Sequence, residues 1–552
     1  MLKETVENID IIETRITDLS DDGNGIGRVR LDASNREIVA FIKGSLPGDF
    51  VKAKITKRKK NYLIADLLEI IETSKDRIKS DCVFFDSCGG CSFREFRYEK
   101  ELEEKQKQVK DKLIRIAGIQ NPRVNAMIPS PKVNEYRNKV TFHLNKGRLC
   151  FYKIQTHELV HIDDCKLIPE IFNILKKTIE RFIIKNAKPI NFIEKVTMRQ
   201  GLSSGEIMVV LNTHKKISGE DSKIIEELGL TLNGAVEEYA REKNSIHCFE
   251  SFVIIYSPGK SKKRGAGRNS GKQITTVISG RKNIKTCLGL YADENKGADP
   301  YDLKPPLTKS EEVVGTSHIK SEEEHDSKPT EKLTLNISPT SFYQINEAQA
   351  RNLYMEAISL AELQPDDIVF DLYCGTGSIG LALSGFVKFV VGIESEPSAI
   401  IDANRNAVLN NIVNAIFLEG RAEEKIGEAV DSDSDIGEMI EQLSCGAKRK
   451  IAFLDPPRKG CAEKLLKSIV DSDIDRIVYI SCNPATLARD VGFLIEHGYE
   501  FLEATPVDMF PKTKHVETVA LLSKLDVDKH INAEIELNES DFISAESEAT
   551  YA

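Results

Sequence analysis

The stretch IVFDLYCGTGSIGLALS, Ile368 to Ser384, decides the fold. It reads as an apolar strand, a glycine turn in which Gly375, Gly377 and Gly380 fit G-x-G-x-x-G, and the start of a helix. Glycines let the backbone turn sharply and approach a ligand, while the helix N-terminus favours polar or anionic groups. NAD-, FAD- and S-adenosylmethionine-binding sheets all use such turns, so the motif alone names no ligand. Downstream, FVVGIE ends at Glu394, where a carboxylate can accept hydrogen bonds from both hydroxyls of a ribose. From Leu333 to about Lys524 strands and helices alternate, the pattern of an α/β doubly wound, Rossmann-like sheet.

Two later strands carry the chemistry. IAFLDPPRKG (Ile451 to Gly460) ends in Asp455 and Arg458, and RIVYISCNPATLARD (Arg476 to Asp490) reaches Cys482 at the end of its strand. Ligands in such sheets sit beyond the carboxyl ends of the strands, which sets a thiol and a carboxylate on the cofactor crevice. VDMFPKTKHVETVALL adds Glu517 just before a last apolar strand. These types suit methylation of uracil at carbon 5, a poor nucleophile until a thiolate adds to carbon 6 and turns the ring into an enolate. That chemistry needs a partly ionised cysteine, a donor toward the enolate oxygen and a carboxylate base. Cys482, Arg458 or Asn483, and Glu517 are of the right kinds.

Toward the N-terminus, residues 8 to 72 alternate as about five short strands with Gly and Asp turns, matching a small β-barrel. Its basic run, Lys52 to Lys60, fits contact with single-stranded nucleic acid. DCVFFDSCGGCSF follows with Cys82, Cys88 and Cys91 as C-x5-C-x2-C, and HIDDCKLIP supplies Cys165. Three clustered thiols and a distant fourth suit tetrahedral zinc or an iron–sulfur cluster, and spacing does not choose between them. Cys150 stands outside the pattern, and His157 and His161 read as ordinary polar residues. From Phe96 to Ala117, Tyr98, Leu102, Val109, Leu113 and Ile116 recur at helical spacing, a packing stripe closed by Gly118. TTVISGRKNIKTCLG reads as a hairpin, residues 431–449 as a polar loop insertion, and about 293–331 as a disordered insertion.

At 552 residues the chain exceeds one core, and roughly two to four domains are expected. Its 41% apolar and 29% charged content is that of an ordinary soluble protein, with no membrane-length apolar run. MLKETVENID lacks the basic-then-apolar pattern of a signal, so a cytoplasmic protein is expected, and eleven cysteines there do not form a disulfide framework. The formal charge of −10 is local: from Asp526 to Ala552 there are eight acidic residues and one lysine, a balance of −7. Phosphate binding needs a basic face, not a basic total, so net charge leaves RNA open.

DLYCGTGSIG, LDPPRKG, YISCNPATLARD and MFPKTKHVETV resemble, in order and spacing, the RNA (uracil-5-)-methyltransferase family, with SPTSFYQIN (Ser338 to Asn346) and YRNKVTFH (Tyr136 to His143) as further similar segments. The resemblance covers nearly the whole chain apart from the insertions and the tail. It implies Cys482 as nucleophile and Glu517 as base, with Gln344, Tyr373, Glu394 and Asp455 on S-adenosylmethionine beside Gly375 and Gly377 of the turn. Asp455 equally suits the uracil edge. Members with the four-cysteine pattern bind a 4Fe-4S cluster, which implies Cys82, Cys88, Cys91 and Cys165 as its ligands in a structural or RNA-docking role. The implied layout is a TRAM-like barrel over 1–73, a mixed α+β central domain over 74–340, a methyltransferase domain over 341–525 and an acidic tail over 526–552. The barrel and the cysteines lean toward the type acting on 23S ribosomal RNA, with transfer RNA the alternative, in a monomer. A radical S-adenosylmethionine enzyme would carry C-x3-C-x2-C, and a non-catalytic RNA-binding factor has no need of an intact Cys482 and Glu517.

Overall fold

A computed structural model describes residues 11–30, 37–154, 156–186, 190–258, 273–289 and 332–525. The expected insertion at 293–331 and the acidic tail at 526–552 lie outside the described residues.

β1 (Ile11–Leu19), β2 (Gly25–Arg30), β3 (Glu37–Lys43), β4 (Phe50–Arg58) and β5 (Tyr62–Glu72) close into a barrel in the order β1-β2-β3-β5-β4. Alternation explains it: Ile12, Ile16, Val29, Ala40, Ile42, Val51, Ala53 and Ala65 fill the interior while the intervening polar residues face water. Lys57 and Arg58 end β4 on the exposed side.

α1 (Tyr98–Arg115) leaves the cysteine segment and packs along the catalytic part of the chain. Its buried stripe is Glu101, Lys105, Val109 and Leu113, so two of its four inward positions are charged, and Ile116 is exposed, contrary to the apolar stripe expected. The reason is an ion network. Lys105 Nζ donates to Glu101 at 2.7 Å and to Asp508 at 2.8 Å with all three side chains fully buried, and Tyr98 Oη donates to the second oxygen of Asp508. Lys512 joins through Phe96 O and the Glu101 carboxylate. α1 is thereby bolted to the segment that leads into Glu517.

The central layer is a sheet in the order β12-β11-β10-β9-β6-β7-β8. Its strands are β6 (Lys139–Asn145), β7 (Arg148–Tyr152), β8 (Leu159–His161), β9 (Ile193–Gln200), β10 (Glu206–Thr213), β11 (Cys248–Tyr256) and β12 (Ile274–Gly280). α2 (Glu170–Lys185) and α3 (Glu220–Lys243) share a core with one face of it. β12 pairs with β11, whereas β13 (Ile284–Gly289) pairs with β14 (Lys332–Ile337), so the expected hairpin does not form. β12 is largely exposed and completes a sheet edge; β13 buries Ile284 and Leu288 in the catalytic domain's core, and Gly280, at φ +70, lets the chain depart.

The last layer runs in the order β17-β16-β15-β18-β19-β21-β20, with six strands running one way and β21 opposite to both its neighbours. These are β15 (Asp367–Leu372), β16 (Phe389–Glu394), β17 (Ala415–Glu419), β18 (Arg449–Leu454), β19 (Arg476–Ser481), β20 (Tyr499–Val507) and β21 (Glu517–Lys524). Successive residues feed opposite cores: Val369, Ile451, Phe453, Val478 and Ile480 on one face, Ile368, Phe370, Ala452, Leu454 and Tyr479 on the other. Helices α4 (Glu347–Ala361), α5 (Ser378–Leu383) and α6 (Pro397–Leu409) border the first core, and α7 (Ala422–Val430), α9 (Glu463–Asp471) and α10 (Pro484–Glu496) the second. The segment expected as a loop at 431–449 contains α8 (Asp435–Leu443): Ser434 caps it and Ile440 is buried, apolar spacing that the acidic composition hid. Strand order reverses between β15 and β18, the switch point at which such sheets bind ligands. Among the described residues, no helix is long and apolar enough to cross a membrane.

Candidate active site

The rim beyond β18, β19 and β21 gathers the chemistry. Ser481 pairs with Thr518, and one further step of that register sets Cys482 beside Glu517. Asn483 follows as the cap of α10: its Oδ1 accepts from Ala485 N and its Nδ2 donates to Arg458 O, with Pro484 in the first turn. Asn483 is thus spent on the backbone, and of the two candidate enolate donors only Arg458 keeps a free guanidinium face. Cys482, Arg458 and His515 line a cleft of about 160 Å³ whose outer wall is Gln108 and Lys112 of α1 with Asp21 of the barrel. Lys112 pairs with Asp21 and Lys514 with Asp22, so a barrel turn closes the cleft from above.

The electrostatics of this cleft differ from the sequence expectation. Burial pushes the Cys482 thiol up to about 11; Glu517 and Asp455 push the same way, and Arg458 opposes them. The surroundings therefore hold the thiol protonated in the ligand-free protein rather than partly ionised, because burial outweighs the one guanidinium beside it. Burial also raises Glu517 well above the usual carboxylate range, with Asp455 adding to it. Asp455, partly open to the crevice, is raised to about 7 by desolvation. His515 is pushed down to about 4 by burial and by Arg458, so the neutral ring accepts from Arg458 Nη2 at 3.4 Å and steers it. Sequence reasoning passed over His515, although it stands in the quoted HVET segment two residues before Glu517.

The cofactor side is a neighbouring cavity of about 320 Å³. Tyr373 and Glu394 line it together with Arg421, Glu423, Pro457 and Cys461. Glu394 accepts from Gly375 N at 3.3 Å and from Glu396 N at 2.9 Å, which fixes its carboxylate at the strand end. Gly377 sits at φ +79, where an added Cβ would meet the Phe417 ring at 2.9 Å; at Gly375, φ +54, the same position is open space. Asp371, fully buried beneath the turn, accepts from Gly380 N at 2.8 Å with one oxygen, and the other has no protein partner. Asp455 and Gln344 do not line this cavity. Asp455 stands toward Cys482, and buried Gln344 uses its carbonyl to accept from Asn138. The loop after β17, Gly420 to Glu423, was missed; an apolar strand ending in a charged turn, AIFLEGRAEE, was the available signal.

The four cysteines meet. Cys82, Cys88, Cys91 and Cys165 line one largely apolar cavity of about 100 Å³, floored by Phe151, Ile162 and Leu167. Arg94 reaches into it, buried, with Nε and Nη2 unpartnered, and burial raises the thiols of Cys88, Cys91 and Cys165. His161 lies apart, bound to Glu180 and Lys176, while His157 packs on Tyr152. Among the described residues, no group of three or more His, Cys, Asp or Glu side chains is placed to hold a metal ion.

The tRNA (uracil-5-)-methyltransferase profile matches residues 323–525, and the TRAM domain profile matches residues 7–68. An RNA methyltransferase of Halalkalibacterium halodurans is 33% identical over 94% of this chain and 98% of its own length; one of Clostridium acetobutylicum is 31% identical over 93% and 97%. The chain belongs to the RNA (uracil-5-)-methyltransferase family. This methyltransferase also resembles the crystal structure of Pyrococcus abyssi tRNA (uracil-54, C5)-methyltransferase in complex with S-adenosyl-L-homocysteine, at a TM-score of 0.61 and 25% identity over 92% of this chain and 99% of that one. It is an S-adenosylmethionine-dependent enzyme acting on RNA. The residues present fit that cofactor: Glu394, held by Gly375 N of the glycine turn, lines the cavity with Tyr373, and Cβ space is open at Gly375.

Proposed function

We propose that this methyltransferase acts on carbon 5 of a uridine in 23S ribosomal RNA through a covalent adduct with Cys482. The observation that carries the mechanism is that the β19–β21 register sets Cys482, which lines the cleft with Arg458, beside buried Glu517. Bound S-adenosylmethionine supplies an electrophilic methyl group. Cys482 loses its proton to solvent in the cleft and its thiolate Sγ adds to carbon 6, and the ring electron pair moves onto the carbonyl oxygen as an enolate that Arg458 faces. Carbon 5 takes the methyl group, Glu517 accepts the carbon-5 proton, and the electron pair of that C–H bond expels Cys482 as thiolate. Glu517 must be ionised to act, and the Arg458 charge favours that form against the burial that opposes it. Tyr373 and Glu394 would hold the cofactor's nucleoside end beside the Gly375–Gly377 turn, with Asp455 and Gln344 as further contacts.

Cys82, Cys88, Cys91 and Cys165 hold a 4Fe-4S cluster. Support comes from four thiols around one cavity and from the buried, partly unpartnered Arg94, a cation suited to a cluster that carries net negative charge with its thiolates. The cluster fastens the cysteine segment to the central sheet, since Gly89 N donates to Tyr152 O and Ile154 N to Ser87 O beside it. Ribosomal RNA is favoured by the pairing of barrel and cluster; transfer RNA is the second reading, favoured by the Pyrococcus abyssi enzyme. Mapping 5-methyluridine in RNA of cells lacking the gene separates them: loss from 23S ribosomal RNA supports the proposal, and loss from transfer RNA alone replaces its substrate.

A further inference from the structure

The central sheet presents one face to α2 and α3; the opposite face of β6 and β9 carries a row of cations, of which Arg199 has Asp402 nearby. Cross-strand partners are Lys139 with Arg199, Thr141 with Thr197, and His143 with Lys195. The Thr141–Thr197 hydroxyl contact at 2.9 Å confirms that these side chains share a face. Cations directly opposite each other destabilise a sheet unless an anion lies between or above them. Arg199 is buried and donates to the carbonyls of Ser338 and Ser341, but among the described residues Lys139 and Lys195 have no carboxylate partner. Lys139 is pushed down to about 8 by burial and by Arg199, as a cation held without its counter-ion should be.

Aromatic surface continues the row. The His143 ring lies 4.5 Å from that of Tyr152, which is 43% exposed, and exposed His157 stands 6.2 Å beyond. The row also starts in the right place. Tyr136 donates to Pro511 O, and Arg137 lies close enough to His515 to lower its basicity. Residues 139, 141 and 143 share a face by strand alternation, so the row runs outward across the central sheet from the segment that holds Tyr136 against Pro511. Alternating cations and flat rings beside an active site fit one class of partner: a single strand of nucleic acid, with its phosphates on the lysines and its bases on the rings.

We propose that Lys139, His143, Tyr152 and Lys195 form a track on the central domain that grips the RNA strand flanking the target uridine. The track rests on the reading of the cleft as the uridine site, and its test separates the two. Binding of a fluorescein-labelled oligouridylate and of a 23S ribosomal RNA transcript is measured for the full-length K139A/K195A, Y152A and Y152F variants across salt concentrations. Adduct formation at saturating 5-fluorouridine transcript is measured alongside. Loss of one stacked base makes Y152A bind about tenfold more weakly, while Y152F, which keeps the ring, binds as wild type. K139A/K195A reduces the slope of log affinity against log salt by about 1.4, the change expected when two lysines no longer neutralise phosphates of a single strand. Adduct formation at saturation stays at wild-type level in all three, since none of these residues lines the cleft. Unchanged affinity and slope in both the double-lysine and Y152A variants overturns the track even if the adduct forms. Equal losses in Y152A and Y152F also overturn it, since the hydroxyl rather than the ring would then be responsible. Absence of adduct in the wild type contradicts the uridine reading and leaves the oligouridylate arm to judge the track alone.

Discussion

The raised thiol at Cys482 predicts how slowly the resting enzyme reacts. Only the thiolate is alkylated, and a group at about 11 is about one-thousandth ionised at pH 8, three units below its midpoint, whereas the ordinary value of 9.0 leaves about one-tenth as thiolate. Cys482 in the ligand-free protein should therefore react with iodoacetamide roughly a hundredfold more slowly at pH 8 than an unperturbed cysteine, with about a tenfold rise per pH unit up to pH 10. Quantifying the alkylated Cys482 peptide by mass spectrometry from pH 7 to 10 reads this directly, with exposed Cys445 as an internal reference. Replacing Glu517 by Gln removes a carboxylate that raises the thiol, so the Cys482 curve should move to lower pH; Arg458→Ala removes the opposing cation and should move it higher. A rate that levels off by pH 8 would refute the argument, because it would mean that the site ionises its thiol before substrate arrives. Both groups act in deprotonated form and both are raised, so kcat/KM should climb with pH through the neutral range.

Lys105→Met leaves Glu101 and Asp508 buried without their cation, a loss of about 3–5 kcal/mol, read as a lower midpoint of thermal unfolding and as proteolysis within residues 508–516. An unchanged melting profile would mean that the network is dispensable. Gly377→Ala forces a side chain into a left-handed backbone and against Phe417, and should weaken S-adenosylmethionine binding by calorimetry more than tenfold, about 1.4 kcal/mol or more. Serine at any one of Cys82, Cys88, Cys91 or Cys165 should remove the brown colour, the bound iron and part of the stability together; colourless wild-type protein holding one zinc would contradict the cluster. Alanine at Lys57, Lys59 and Lys60 should weaken RNA binding and flatten its salt dependence with turnover at saturation unchanged.

Most of the catalytic sheet was legible because its signals are local. A buried strand, a glycine turn and a cap such as Asn483-Pro484 each declare themselves within a few residues. The barrel was legible through period-2 alternation. What escaped depends on contacts distant in sequence. Nothing in TTVISGRKNIKTCLG says that its two strands join different sheets, since the choice rests on which core buries Ile284 and Leu288. The α1 stripe looked apolar because the partner that makes buried Lys105 tolerable, Asp508, lies about four hundred residues away. Cys482 and Glu517 were legible as types in a pattern, whereas the burial that keeps the thiol protonated, and the placement of Glu517 and Arg458 around it, needed three dimensions.

The most direct test of the central claim is trapping on RNA containing 5-fluorouridine, whose carbon-5 fluorine cannot be removed as a proton. With S-adenosylmethionine present, wild-type protein should form a stable protein–RNA complex, and mass spectrometry of the nuclease-digested product should place the methylated fluorouridine on Cys482. Cys482→Ala should form none while binding the cofactor normally. A covalent complex that persists in Cys482→Ala, or near-native methylation by that variant, would contradict the mechanism.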